Sequence, residues 1–233
     1  MRRRFIDYYG RGRRLCGALA FGVLGLLLWP AAASATTKGL NQIVTPDIQP
    51  AGMLSISLQQ VDPNIGNRYQ IQLEQGLTKS FEIAYFHGFS PPQEVLNAEL
   101  GLVQKPPYLL STGFLGWTST GLAPQPFLIG GYYKGLWEVI GGVARAETET
   151  PAVGGVERRS WSTEGIAGLA YRARPDLQLA LDYQSGSANF ATVGFTYSFT
   201  PQLSLNPALY ISNSTPHKGY GYAVLTWNVQ LWK

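Results

Sequence analysis

The chain carries few side chains of the kinds that usually activate nucleophiles or hold metals: two histidines, His87 and His217, and one cysteine, Cys16. His87 stands three residues before Ser90, with Pro91-Pro92 next. A serine nucleophile needs its histidine within hydrogen-bond reach and a third group to orient the ring, and this spacing at a strand end serves that poorly. His217, in a Pro-flanked loop, reads as a solvated surface residue. Two distant histidines do not make a zinc set. Gly141-Gly142 and Gly154-Gly155 lack the strand-loop-helix context and the Lys-Ser/Thr partner of a phosphate loop, and read as bends or close strand packing. No catalytic residue, metal or cofactor is assigned. What remains is charge: Glu74, Glu82, Glu99, Glu138, Glu164 and Asp182 against Arg68 and Arg172. Six acids and two bases facing one space would attract cations and hydrate polar solutes.

The elements that must hold these residues show a period of two. Leu177, Leu179, Leu181 and Tyr183 alternate with Gln178, Ala180, Asp182 and Gln184. Leu54, Ile56 and Leu58 alternate with Ser55, Ser57 and Gln59, and the segments from Tyr69, Phe81, Ala191, Leu203 and Ala223 behave likewise. Alternation of this kind is the mark of a strand between two different environments. Segments near 94–104, 108–117, 125–133, 136–146 and 159–172 are Gly-rich or apolar on both faces and read as strands on weaker alternation. The total is about twelve strands, with a tight set of connectors at Thr78-Lys79, 105–107, Lys134-Gly135, 174–176 and 200–202. The looser set is 61–67, 89–93, 118–124, 147–158, 185–189 and 213–218. The connector motifs Gly76-Leu77-Thr78-Lys79-Ser80-Phe81 and Ser198-Phe199-Thr200-Pro201-Gln202-Leu203 resemble each other, which reads as repeated turn chemistry.

Residues 1–35 read as a secretory signal: six arginines, an apolar stretch from Leu15 to Trp29 that is short for a membrane helix, then Ala33-Ser34-Ala35 as a cleavage site. The signal holds six of the 18 Lys+Arg and one of the 14 Asp+Glu, so the remaining 198 residues carry a formal charge of −1. No basic stripe is left to bind nucleic acid. Cys16 also leaves with the signal, so disulfides do not stabilise the exported chain.

Twelve strands of about ten residues exceed the strand content of ordinary soluble domains. A closed sheet accounts for the excess, because in hydrocarbon every backbone N–H and C=O must be paired within the protein. The expected fold is therefore all-β: an antiparallel up-and-down transmembrane β-barrel of about twelve strands over residues 52–233. Both chain ends and the tight turns would face the periplasm. Tyr69, Tyr108, Trp117, Tyr133, Trp137, Trp161, Tyr171, Tyr183, Tyr197, Phe199, Tyr222 and Trp232 stand near segment ends, where membrane-interface aromatics belong. A soluble β-sandwich is the competing architecture.

On these residues the chain resembles bacterial outer-membrane β-barrels of the porin-like superfamily. The resemblance runs from the signal through the terminal strand Gly219–Trp232, although Lys233 follows the aromatic that usually closes such chains. It implies residence in the outer membrane, contact with its lipids and lipopolysaccharide, and handling by the barrel-assembly machinery. Gly39-Leu40-Asn41-Gln42-Ile43-Val44-Thr45-Pro46-Asp47 with Gly52-Met53-Leu54 resembles the opening of YjbH-like exopolysaccharide-associated barrels, which implies a link to polysaccharide export. Some small outer-membrane barrels hydrolyse lipids, but their His-x-Ser spacing is absent here.

With greasy faces toward lipid, the eight charged residues line the lumen. Either they form a narrow conduit for small polar or cationic solutes, or they pair within a plugged, non-conducting barrel. Residues 36–51, irregular and holding Pro46 and Pro50, either enter the lumen as a partial plug or hang in the periplasm, the default for a polar terminus. Glu147–Arg159 reads as the longest surface loop and the best candidate for contact with lipopolysaccharide.

Overall fold

The computed structural model describes residues 39–118, 123–153, 156–214 and 216–232. The signal assigned to 1–35 lies outside the described residues. Twelve strands follow in order: β1 (Met53–Val61), β2 (Tyr69–Gly76), β3 (Phe81–Phe89), β4 (Pro92–Lys105), β5 (Tyr108–Thr118) and β6 (Gln125–Lys134). Then come β7 (Trp137–Val153), β8 (Val156–Arg174), β9 (Leu177–Gln184), β10 (Phe190–Ser198), β11 (Leu203–Ser212) and β12 (Gly219–Gln230). Each strand pairs antiparallel with its sequence neighbours, and β1 pairs with β12 from Met53↔Gln230 to Val61↔Tyr222, so the sheet closes. Closure excludes the sandwich.

The pleat sorts the side chains as their alternation requires. On β9, Leu179, Leu181 and Tyr183 are exposed on the outer surface while Ala180, Asp182 and Gln184 are buried inside. Ser55, Ser57 and Gln59 of β1 and Thr226 and Asn228 of β12 face inward in the same way. The middle strands alternate less cleanly for a physical reason. Phe127 and Ile129 of β6, Ile140 and Ala144 of β7 and Ile166 and Ala170 of β8 point inward into an apolar core, so these strands are greasy on both faces.

Turn chemistry repeats where the sequence repeats. Leu77 and Thr78 both donate to the Phe81 carbonyl, and Phe199 and Thr200 both donate to that of Leu203. The Thr78 hydroxyl accepts from the Ser80 N–H, and the Thr200 hydroxyl accepts from Gln202 and Leu203. The two-residue turn Gly135-Leu136 opens with φ +63° at Gly135, a value only glycine adopts freely and one that suits the twist of the flanking strands.

Three expectations are corrected. The 147–158 segment is not a loop: β7 and β8 run on to Val153 and from Val156, pairing Glu149 with Arg159 in register. Its sequence is a polar Thr-Glu run without apolar alternation, so period two is silent there. The loop at 89–93 shortens to Ser90-Pro91 between β3 and β4. Tyr133 and Tyr222 leave the aromatic belts, since both point inward: the Tyr133 hydroxyl donates to Asp47 Oδ1 and Tyr222 lines a cavity. The remaining aromatics form two outer bands. Tyr108 packs on Tyr132 and Trp137 on Tyr171 at the tight-turn end, and Tyr69, Trp117, Trp161 and Tyr183 lie toward the other.

Residues 39–51 run inside the barrel instead of hanging free. Leu40 and Ile43 complete the apolar core, and burial of two large side chains favours that seat over solvent by about 1.5–3 kcal/mol each.

Candidate functional site: an acidic lumen with an internal belt

The site grows from inward positions on the first strands. Glu82 of β3 and Glu99 of β4 are direct cross-strand neighbours, and Glu74 of β2 stands opposite Ala84, the next inward residue on β3. All three carboxylates are buried and line a cavity of about 420 Å³. Carboxamides surround them: Gln59 Nε2 donates to Gln72 Oε1 at 2.5 Å, and Gln72 Nε2 donates to Glu74 Oε2 at 3.0 Å. Across the cavity stand Phe190, Tyr210 and Tyr222, whose rings pack at centroid distances of 5.4 Å (Phe190 to Tyr210) and 5.2 Å (Tyr210 to Tyr222). Among the described residues no Lys or Arg lines this space.

The remaining charged residues lie elsewhere. Glu164 Oε2 accepts from Gln125 Nε2 at 3.0 Å and from Gln184 Nε2 at 2.7 Å, so it stands behind two amides that line the cavity. Asp182 sits under the N-terminal segment, its Oδ2 accepting from the backbone N–H groups of Asn41 at 2.7 Å and Gln42 at 3.3 Å. Glu138 is toward the tight-turn end, 3.8 Å from Arg172 Nη2 and accepting from Gln178 Nε2 at 3.0 Å. Arg172 is itself exposed. Arg68 is exposed just before β2, its guanidinium 5.4 Å from the Tyr69 ring centroid. The structure thus brings Glu74, Glu82 and Glu99 together and leaves both arginines off the cavity.

The residues that sequence reasoning missed belong to the N-terminal segment and its seats. Asn41 Nδ2 donates to the Ala180 carbonyl at 3.2 Å and to Thr192 Oγ1 at 3.1 Å, while the Tyr210 hydroxyl donates to the Asn41 carbonyl at 2.5 Å. The Gln49 N–H donates to Glu82 Oε2 at 2.5 Å, and its side chain reaches Ser55 Oγ, which in turn donates to Asn228 Oδ1 at 2.7 Å. Gln104 receives the Ile48 N–H on its Oε1 and donates to the Pro46 carbonyl. The N–H groups of residues 41, 42, 48 and 49 are satisfied by wall side chains in place of a ladder.

His87 faces outward on β3, its Nδ1 3.9 Å from Glu94 Oε1 and its ring edge-on to Phe89. Among the described residues no serine hydroxyl is hydrogen-bonded to it.

The fold is a closed antiparallel twelve-strand barrel with an apolar outer face and an inner wall that is polar around the cavity. Solved structures share it: the NanC porin superposes with a TM-score of 0.54 at 9% identity, covering 74% of this chain and 97% of that one. The KdgM porin superposes at 0.52 with 10% identity, covering 75% and 98%. A second KdgM structure, described as a complex with disordered oligogalacturonate, gives 0.53 at 11%, covering 75% and 98%. No protein-family model and no curated protein matches the chain.

Proposed function

We propose that the chain is an outer-membrane, porin-like barrel that admits small polar or cationic solutes to an acidic, carboxamide-lined lumen. One observation carries this reading: Glu74, Glu82 and Glu99 line a cavity to which no described Lys or Arg contributes. Confined carboxylates in a narrow, low-dielectric space favour cations and repel anions far more than they would in water. Carboxamides offer donors and acceptors to neutral polar solutes. An anionic chain such as the oligogalacturonate described with the KdgM porin is disfavoured here on charge.

The outer surface supports membrane residence, with exposed Leu58, Leu181, Val193 and Leu225 between two aromatic bands that suit lipid and lipopolysaccharide. Assembly by the barrel machinery follows from that location. We assign no enzymatic role. Reversal potentials across planar bilayers in a salt gradient test the reading: cation preference is expected, and anion preference or absence of any channel overturns it.

The presence of residues 39–51 inside the lumen favours a second reading, a non-conducting envelope barrel. Its signature would be correct assembly without conductance.

A further inference from the structure

We infer that residues 41–50 form an internal belt that sets the bore of the barrel, so that this segment is the size-determining element of the passage and the wall is not. The inference rests on the passage reading above and names what limits it.

Five inward glycines mark the belt's path, one on every second strand. A Cβ added to Gly194 on β10 would run into Asn41 Oδ1, and one on Gly168 of β8 would lie 2.7 Å from Ile43 Cδ1. On Gly131 of β6 it would stand 2.8 Å from Pro46 Cγ, and on Gly101 of β4 2.7 Å from Ile48 Cγ1. On Gly76 of β2 it would meet the Gln49 and Pro50 carbonyl oxygens. The order of contact, 41, 43, 46, 48 and 49–50, follows the order β10, β8, β6, β4, β2 around the wall. The segment therefore winds along the inner circumference past eight strand steps.

A track of missing side chains in register with one peptide is a built seat. Pro46 and Pro50 lack the N–H a ladder would need, which keeps the belt from adding to a strand. Its N–H groups instead reach Asp182, Gln104 and Glu82, acceptors spaced around the same arc. Barrels of about eight strands are filled by their own side chains, while those of 16 to 18 leave an aqueous channel. Twelve strands lie between, with room for one extended peptide against the wall and a small cavity beside it.

Liposome swelling with a monosaccharide and a tetrasaccharide, together with single-channel conductance, tests the belt. The full chain is compared with a variant lacking residues 39–50 and with Gly76→Val/Gly168→Val, which unseats the belt at unchanged length. Heat-modifiable migration on gels confirms closure of each barrel. The native protein should pass the monosaccharide and exclude the tetrasaccharide, and both variants should admit the larger sugar with conductance raised several-fold. Equal size limits and equal conductance in closed barrels overturn the belt while leaving a cation-selective passage standing. Closed variants that pass nothing overturn the passage reading and the belt with it. Where the deletion fails to close, the glycine double variant decides.

Discussion

The backbone N–H of Asn41 donates to Asp182 Oδ2 at 2.7 Å, fastening the N-terminal segment to β9 across 141 residues of chain. Asp182→Ala removes the acceptor of two N–H groups, and an orphaned buried donor costs about 1–3 kcal/mol. Hydrogen exchange at the Asn41 amide should then speed up by about ten- to a hundredfold. Unchanged exchange would show that the segment is held by its apolar seat alone.

Gly76 and Gly141 separate close approach from mere chain flexibility. An alanine at Gly76 meets two backbone carbonyls, which cannot swing aside, whereas one at Gly141 meets nothing within 4 Å. Gly76→Ala should lower unfolding stability by about 1–3 kcal/mol, as overpacking does. Gly141→Ala should stay within about 0.5 kcal/mol. Urea titration of the two variants in detergent gives the comparison, and equal midpoints would contradict it.

Charge in the cavity is tested by Glu82→Gln/Glu99→Gln. The glutamine oxygen can still accept the Gln49 N–H, so the seat survives while two carboxylates are lost. Cation preference should fall and the reversal potential should move toward zero. An unmoved reversal potential would place the selectivity elsewhere.

Nitroxide labels along 177–184 read the two environments directly. Labels at 179, 181 and 183 should be quenched by oxygen and those at 180, 182 and 184 should not, because the former are exposed on the outer face and the latter buried within. Loss of the alternation would remove the barrel from the membrane.

At the tight-turn end, two hydrogen bonds from Arg174 hold the Asp176 carboxyl below its ordinary range. A depressed carboxyl stabilises the fold above its unfolded-state value, and that contribution disappears as pH falls through the lower folded value. The pair is exposed, so solvent screens it. Asp176→Asn should leave the thermal midpoint at neutral pH almost unchanged and slightly flatten its decline in acid. A large loss at neutral pH would mean that the pair does more than bridge the turn.

Legibility followed locality. Leu179 against Asp182, or Ile56 against Ser57, could be assigned to opposite faces because a strand turns each successive side chain through half a revolution whatever the rest of the chain does. Strand number, order and most connectors follow from that rule. It failed at Phe127 and Ile129, whose inward neighbours are apolar, and at 147–158, where the polar sequence does not alternate. Parity read Glu74, Glu82 and Glu99 as inward-facing, and the strand register is what made them neighbours. Arg68 carried the same parity but falls beyond the end of its strand, and parity says nothing past that point.

The alternating sequence determined by itself that a sheet would form, which faces are greasy and which wet, and that the sheet must close to satisfy its backbone in oil. Tertiary structure decided what the wet space holds. Residues 39–51 have no period to read, and the bonds that fasten them around the wall reach strands far away in sequence, from Gln49 to Glu82, from Ile48 to Gln104 and from Asn41 to Asp182. The five glycines beneath them acquire a meaning only when closure arranges every second strand around the same wall. Such contacts form through closure in three dimensions, and neighbouring residues along the chain carry no trace of them.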